Sequence, residues 1–135
     1  PRWLGDVLRA VCRRVVVDLG CGRGRSTELI SRASPGSLVI GIDIDRLSVL
    51  SAWERLRENA SVELICSDAS ELLMRSSSIG SAVAILTIHE VNDERVGLLL
   101  REVRRALSTG GLLLVVERFL QSSAAQARSS RFSPR

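Results

Sequence analysis

The sequence contains no lysine and no tyrosine, a single histidine, three cysteines and four aromatic residues, Trp3, Trp53, Phe119 and Phe132. Each shortage removes a class of function. A phosphate-binding loop of the form GxxxxGK[ST] needs the missing lysine. Cys12, Cys21 and Cys66 stand apart, with no CxxC spacing and no clustered histidines. That pattern fits neither a zinc site nor a disulfide framework, and reads as reduced thiols in or near a core. Strictly apolar runs stop at five residues, as in Leu112 to Val116, so no segment is long enough to cross a bilayer. No basic–apolar–small pattern opens the chain, and a cytoplasmic protein is expected.

Charge is equally uninformative about nucleic acid. The net charge is +4, but residues 1 to 117 carry fifteen arginines and fifteen acids. The excess lies in Arg118, Arg128, Arg131 and Arg135. No basic stripe interleaved with aromatics is present, so nucleic acid is weakly supported as a partner. A chain of 135 residues, 45% apolar and 25% charged, is one ordinary domain with a real core.

Short apolar runs alternate with amphipathic stretches. Strands are expected at Val15–Leu19, Leu38–Ile44, Val62–Cys66, Ala82–Ile88 and Leu112–Val116. Helices are expected at Trp3–Val11, Ser26–Ala33, Asp45–Glu58 and Asn92–Leu107, with a short one at Ser70–Met74. In the third of these, Leu47, Leu50, Trp53 and Leu56 recur at helical intervals. Asn92 or Asp93 caps the last long helix, and Thr109-Gly110-Gly111 ends it. From Gln121 onward Ser, Ala, Gln and Arg dominate, so residues 1–120 read as the domain and 121–135 as a basic tail. Strict alternation predicts an α/β fold, a doubly wound, mostly parallel sheet with helices on both faces.

Ligands in such folds bind beyond the carboxyl ends of the strands, where strand order reverses. The first strand–helix turn is Asp18-Leu19-Gly20-Cys21-Gly22-Arg23-Gly24. Its glycines permit positive φ and close approach of a ligand to the backbone. The dinucleotide fingerprint GxGxxG fits Gly20 and Gly22 but meets Arg25 where its third glycine belongs. An NAD-dependent oxidoreductase is therefore a poor match.

The turn instead resembles motif I, DxGxGxG, of the class I S-adenosylmethionine-dependent methyltransferases. Gly41-Ile42-Asp43-Ile44-Asp45 resembles the end of that family's second strand, where an acid binds the ribose hydroxyls. Cys66-Ser67-Asp68-Ala69 resembles the third-strand motif, whose Asp contacts the adenine amino group. Ala106 to Gly111, followed by LLLVVE, resembles the LxPGG turn before strand five, with Thr109 in place of proline. These four motifs fall in order over about 100 residues. The resemblance implies strand order 3-2-1-4-5, S-adenosylmethionine as cofactor, and cofactor contacts at Asp18, Gly20, Cys21, Gly22, Gly24, Asp43, Ile44, Asp68 and Ala69. It places Asp18 and the loop amides at the methionine portion. Arg23 and Arg25 are either solvated or paired with the cofactor carboxylate. For Asp43 and Asp68 a second role stays open, capping the helices that follow.

The stretch LTIHEVNDERV after strand four lacks the [DNS]PP[YF] turn of base and amide N-methylators. His89-Glu90-Val91-Asn92-Asp93-Glu94, with VVE at 115–117, is similar to the HDWxDE…VVE pattern of O-methyltransferases acting on phenols. Ubiquinone-type C-methyltransferases share a similar histidine region. The resemblance implies His89 as general base and Glu117 as the residue that orients it, acting on a small molecule by O- or C-methylation. Neutral imidazole suits that proton transfer, and substrate contact without transfer is the alternative role for His89. No metal site is expected.

The family's usual sixth and seventh strands have no counterpart in the eighteen residues after Glu117, which do not alternate as strands do. Strand five is thus expected to be an exposed apolar edge, favouring a homo-oligomer such as a homodimer, a partner subunit, or cover by the tail. A non-catalytic cofactor-binding subunit of a larger methyltransferase complex is the alternative reading.

Overall fold

The computed structural model describes residues 2–118. In chain order these form α1 (Arg2–Val11), β1 (Val15–Leu19), α2 (Arg25–Ala33), β2 (Leu38–Asp43), α3 (Arg46–Leu56) and β3 (Val62–Cys66). They continue with β4 (Ile79–Ile85), α4 (Asp93–Ala106) and β5 (Leu107–Val116). Single 3-10 turns at Ala69–Glu71 and Ile88–Glu90 flank β4. The five strands make one sheet in the order β3-β2-β1-β4-β5, and every pairing is parallel. The fold expected from the alternating pattern is the one observed.

Parallel strands buried on both faces explain the apolar runs. Val16, Val39 and Val83 pack under Leu4 and Leu8 of α1 and Ile30 of α2. Val17, Leu19, Ile40 and Ile42 face the other way, toward Leu99 and Val103 of α4. Successive residues of β1 thus alternate between two cores, and Asp18 falls on the α1/α2 side. The order reverses at β1, between β2 and β4, which opens the cleft at the carboxyl ends of these strands.

Four expectations about elements are corrected. The fourth strand runs Ile79–Ile85 rather than Ala82–Ile88. Gly80 and Ser81, just inside its start, are required by a crossing segment. A Cβ at residue 80 would lie 2.2 Å from the Arg13 carbonyl oxygen. Ser81 Oγ donates to the Val11 carbonyl and accepts from the Arg13 amide, at 2.6 and 3.2 Å. At the other end Leu86 takes φ 54°, which breaks the strand before the histidine-bearing stretch.

The last helix ends at Ala106, ahead of Thr109-Gly110-Gly111, and β5 starts at once. Leu107 pairs with Ile79 and Leu112 with Ser81, so three extra residues on β5 are taken up in a bulge. Gly110 at φ 76° makes that bulge possible, and Ser108 Oγ donates to the Ile79 carbonyl. The expected helix at Ser70–Met74 is only the turn Ala69–Glu71.

The helix expected at Asp45–Glu58 forms, but its buried face is not the leucine stripe. Ala52 and Leu56 are buried, while Leu47 is 73% exposed and Trp53 53% exposed. The small Ala52 is what lets α3 approach the glycine turn: a Cβ on Gly24 would lie 3.0 Å from the Ala52 Cβ and 3.0 Å from Leu56 Cδ1. Packing of α3 on a glycine, not burial of its bulkiest residues, set the rotation of the helix. The Arg57 guanidinium covers the exposed Trp53 ring at 5.9 Å.

Cys12, Cys21 and Cys66 are free thiols. Among the described residues no helix is long and apolar enough to cross a membrane, and no group of three or more His, Cys, Asp or Glu is placed to hold a metal. The tail at 121–135 lies outside the described residues.

Candidate active site

The cleft at the reversal point has a volume of about 810 Å³, within the range of small-molecule sites. The glycine turn forms one wall, with Gly20 and Gly22; the ends of β2 and β3 form the floor, with Asp43, Ile44, Asp68 and Ala69. The opposite wall comes from the segment between β4 and α4, including Thr87 and Glu90, and from Arg95 in the first turn of α4. Six of the nine residues assigned to cofactor contact therefore line one cleft. Asp18, Cys21 and Gly24 do not.

Asp18 sits behind the turn, fully buried. Its Oδ2 accepts hydrogen bonds from Ser26 Oγ at 2.7 Å and Thr27 Oγ1 at 2.6 Å, which fasten the start of α2 to β1. Its Oδ1 is buried without a hydrogen-bond partner among the described residues. Burial pushes the carboxyl up to about 6, against the two hydroxyl donors that lower it, and the nearby Asp43 charge adds to the rise.

Asp43 stitches the cleft together. One oxygen accepts from the Gly22 amide and the other from the Asp45 amide, each at 2.8 Å. It does not cap α3. That task falls to Asp45, which accepts from the Leu47 and Ser48 amides and from Ser48 Oγ, and these bonds hold its carboxyl below the usual range. Each Asp43 oxygen still has acceptor capacity to spare.

Asp68 does cap the turn that follows it. Its Oδ1 accepts from the Ser70 amide and hydroxyl, while Oδ2 accepts from Arg95 Nη1 at 2.8 Å. The Ser70 donors first, and Arg95 after them, hold its carboxyl below the usual range. Arg95 thus ties the third-strand end to the first turn of α4 across the mouth of the cleft. Sequence reasoning missed it, because nothing local links residues 68 and 95.

The glycines divide by cause. Gly20 has φ 71°, and a Cβ there would lie 2.2 Å from Thr87 Cγ2, so it is needed by the strand-four loop. Gly22 has φ 51° and open space where its Cβ would be. Gly24 is the N-cap of α2 at φ 83° and packs on α3. The amides of the turn are largely used within the protein: Gly20 and Cys21 donate to the Ile42 carbonyl, Gly22 to Asp43, Gly24 to the Cys21 carbonyl. Cys21 is buried and lines a separate pocket on the α1 side of the turn; burial, then the Asp18 and Asp43 charges, push its thiol up to about 12.

Beyond β4, Glu117 Oε1 accepts from the Ile88 amide at 2.6 Å, which ties the end of β5 to the turn carrying residue 89. The side chain of His89 lies outside the described part of the structure.

Residues 16–111 match the family model described as "Methyltransferase domain". The chain belongs to that family. Among curated relatives of this methyltransferase domain, carboxy-S-adenosyl-L-methionine synthase of Actinobacillus succinogenes is 31% identical over 109 residues, covering 77% of this chain and 44% of the relative. Trans-aconitate 2-methyltransferase of Paracidovorax citrulli is 56% identical over 41 residues, covering 30% and 16%. The S-adenosylmethionine-dependent methyltransferase of Mesorhizobium loti, a solved structure, superposes with a TM-score of 0.68 at 29% identity, covering 82% of this chain and 51% of that one. The chain thus spans less than half of both curated relatives.

The family's cofactor is S-adenosylmethionine, and the cleft fits it on two observations. Gly22 leaves open space beside the backbone, and Asp43 keeps two acceptor positions at the second-strand end.

Proposed function

We propose that this methyltransferase domain transfers a methyl group from S-adenosylmethionine to a small-molecule acceptor, as O- or C-methylation. The convergence of Gly20, Gly22, Asp43, Ile44, Asp68 and Ala69 on one cleft carries the reading. Asp43 would hold the ribose hydroxyls, and Asp68 and Ala69 the adenine. Asp18 acts from behind the turn on the ammonium end, and Gly24 by fixing α2. Cys21 belongs to the far side of the turn. The bound cofactor supplies an electrophilic sulfonium methyl.

The acceptor's nucleophilic atom attacks that methyl in line, so positioning accounts for much of the task. Where the acceptor is a hydroxyl, His89 is assigned the proton and Glu117 the positioning of its turn, supported by the Glu117–Ile88 bond. Exchange of His89 for alanine is expected to slow turnover at least tenfold with cofactor affinity nearly unchanged. Equal turnover would remove the base assignment. Trans-aconitate, the small molecule in the names of several relatives, is a suitable first acceptor to offer.

The deciding experiment is calorimetric titration of the chain with S-adenosylmethionine, S-adenosylhomocysteine and NAD. Binding of the first two but not NAD is expected. Asp43→Ala should weaken it by about 10- to 100-fold, as befits lost charge-assisted hydrogen bonds. Absence of binding by the intact chain would refute the reading.

Residence in the cytoplasm is part of the proposal, supported by three free thiols. So is self-association along β5, whose Leu112 and Val115 are exposed at the end of the sheet. Light scattering that returns a monomer at all concentrations would refute the latter.

A further inference from the structure

A second pocket, of about 460 Å³, lies on the α1 side of the glycine turn and shares Gly20 with the main cleft. One wall is apolar, made by Leu4 of α1, Leu29 of α2 and Ile85 at the end of β4. Arg23 and Arg25 line the other side. Among the described residues neither side chain makes an ion pair or a hydrogen bond. The acids near them are already engaged. Asp6 on α1 pairs with Arg9. Glu28, the only acid on α2, pairs with Arg32 at 2.7 Å and Arg55 at 3.2 Å. Asp45 feels the Arg23 charge but spends its oxygens capping α3. Asp18 is sealed behind the turn. The Cys21 thiol at the pocket wall stays neutral at physiological pH.

Two guanidinium groups without counter-ions, opposite an apolar wall, match an anion with a short hydrocarbon frame. Planar guanidinium groups pair with carboxylates by parallel N–H···O bonds, and a carboxylate is the anion a short hydrocarbon frame most simply carries. The shared Gly20 makes the two pockets neighbours at the glycine turn.

We propose that Arg23 and Arg25 bind a carboxylate of the methyl acceptor, so that the acceptors of this domain are small organic acids. The proposal rests on the methyltransferase reading. It is tested by titrating S-adenosylhomocysteine first, then benzoate, glutarate and propane-1,2,3-tricarboxylate, each beside its methyl ester, into the loaded chain. At least one acid is expected to bind saturably while its ester does not. Arg23→Gln and Arg25→Gln should each weaken that acid at least tenfold and leave S-adenosylhomocysteine within twofold, with unchanged melting temperature as the folding control. Failure of all three acids, or equal binding by the variants, overturns the proposal. So does a parallel loss of S-adenosylhomocysteine affinity, which would give the arginines to the cofactor's own carboxylate. Failure at the first titration is failure of the methyltransferase reading, and is thereby distinguished.

Discussion

Exchanging Asp18 for asparagine should flatten the dependence of stability on pH between 4.5 and 7. The native carboxyl titrates at about 6 and its unfolded counterpart near 3.8. Between those values the folded state holds more protons than the unfolded one, so stability falls as pH rises. The stabilisation relative to the ionised form is fully present below about 3.8 and lost as pH passes 6. The whole span of 2.2 units corresponds to about 3 kcal/mol at 1.36 kcal/mol per unit. Of this, about 2 kcal/mol falls between pH 4.5 and 7. Asp45 and Asp68 have lowered values and lose stability chiefly in more acidic solution, while Glu102, lowered from 4.5, touches the lower edge of this window. Urea unfolding of wild type and variant at five pH values measures the effect. Their difference cancels every group common to both proteins. Asparagine keeps an oxygen for the Ser26 and Thr27 hydroxyls, so the variant is expected to fold. Parallel wild-type and variant curves would refute the assignment of a buried, destabilised carboxylate. The same titration touches function. An ammonium group brought near Asp18 should bind more tightly as pH rises through 6, and that slope should vanish in the variant.

The glycines and α3 give further tests of stability. Gly20→Ala should cost about 3 kcal/mol, from left-handed backbone and contact with Thr87, and Thr87→Ala should recover part of it. Gly80→Ala meets the Arg13 backbone, so no side-chain truncation should rescue it; full rescue by Arg13→Ala would contradict the geometry. On α3, Leu56→Ala should cost about 2–5 kcal/mol and Leu47→Ser less than about 0.5 kcal/mol, read by urea midpoint. The reverse order would return the helix to the rotation suggested by its leucines.

That last pair shows where sequence reading and structure part. Val15–Leu19 was legible because a central strand covered on both faces is almost wholly apolar, and Val62–Cys66 because Val62, Leu64 and Ile65 make a short apolar run at the edge of the sheet. In α3 the periodicity was real but ambiguous, since 47, 50, 53 and 56 and the alternative 49, 52 and 56 both repeat at helical spacing. Only knowledge that Gly24 abuts residue 52 decides between them, and that contact is tertiary. The start of the fourth strand at Ile79 rather than Ala82 is tertiary too, since Gly80 and Ser81 lie where another backbone passes. Small residues mark turns when the chain bends, but also mark places where another backbone passes, and the passing segment at residue 13 is 67 positions away.

The site divides along the same line. Asp43 and Asp68 were visible because strand ends put their residues into the cleft whatever the surroundings. Asp18 lies on the α1/α2 face of β1, one residue short of the strand end and so deeper than Asp43, and there its side chain accepts from Ser26 and Thr27. A motif read as a string does not show that the same acid also fastens the loop to the strand. Arg95 lies beyond any motif. Its bond to Asp68 spans the β3 end of the cleft, so an adenine amino group bound there as proposed shares Oδ2 with a guanidinium. Such sharing is feasible, because a carboxylate oxygen has two lone pairs, and it keeps the acid charged and aimed before the cofactor arrives. Arg95→Ala is therefore expected to weaken S-adenosylhomocysteine by a few-fold in calorimetry, through a less ordered Asp68. Tighter binding would mean that Arg95 competes with the adenine rather than preparing its acceptor.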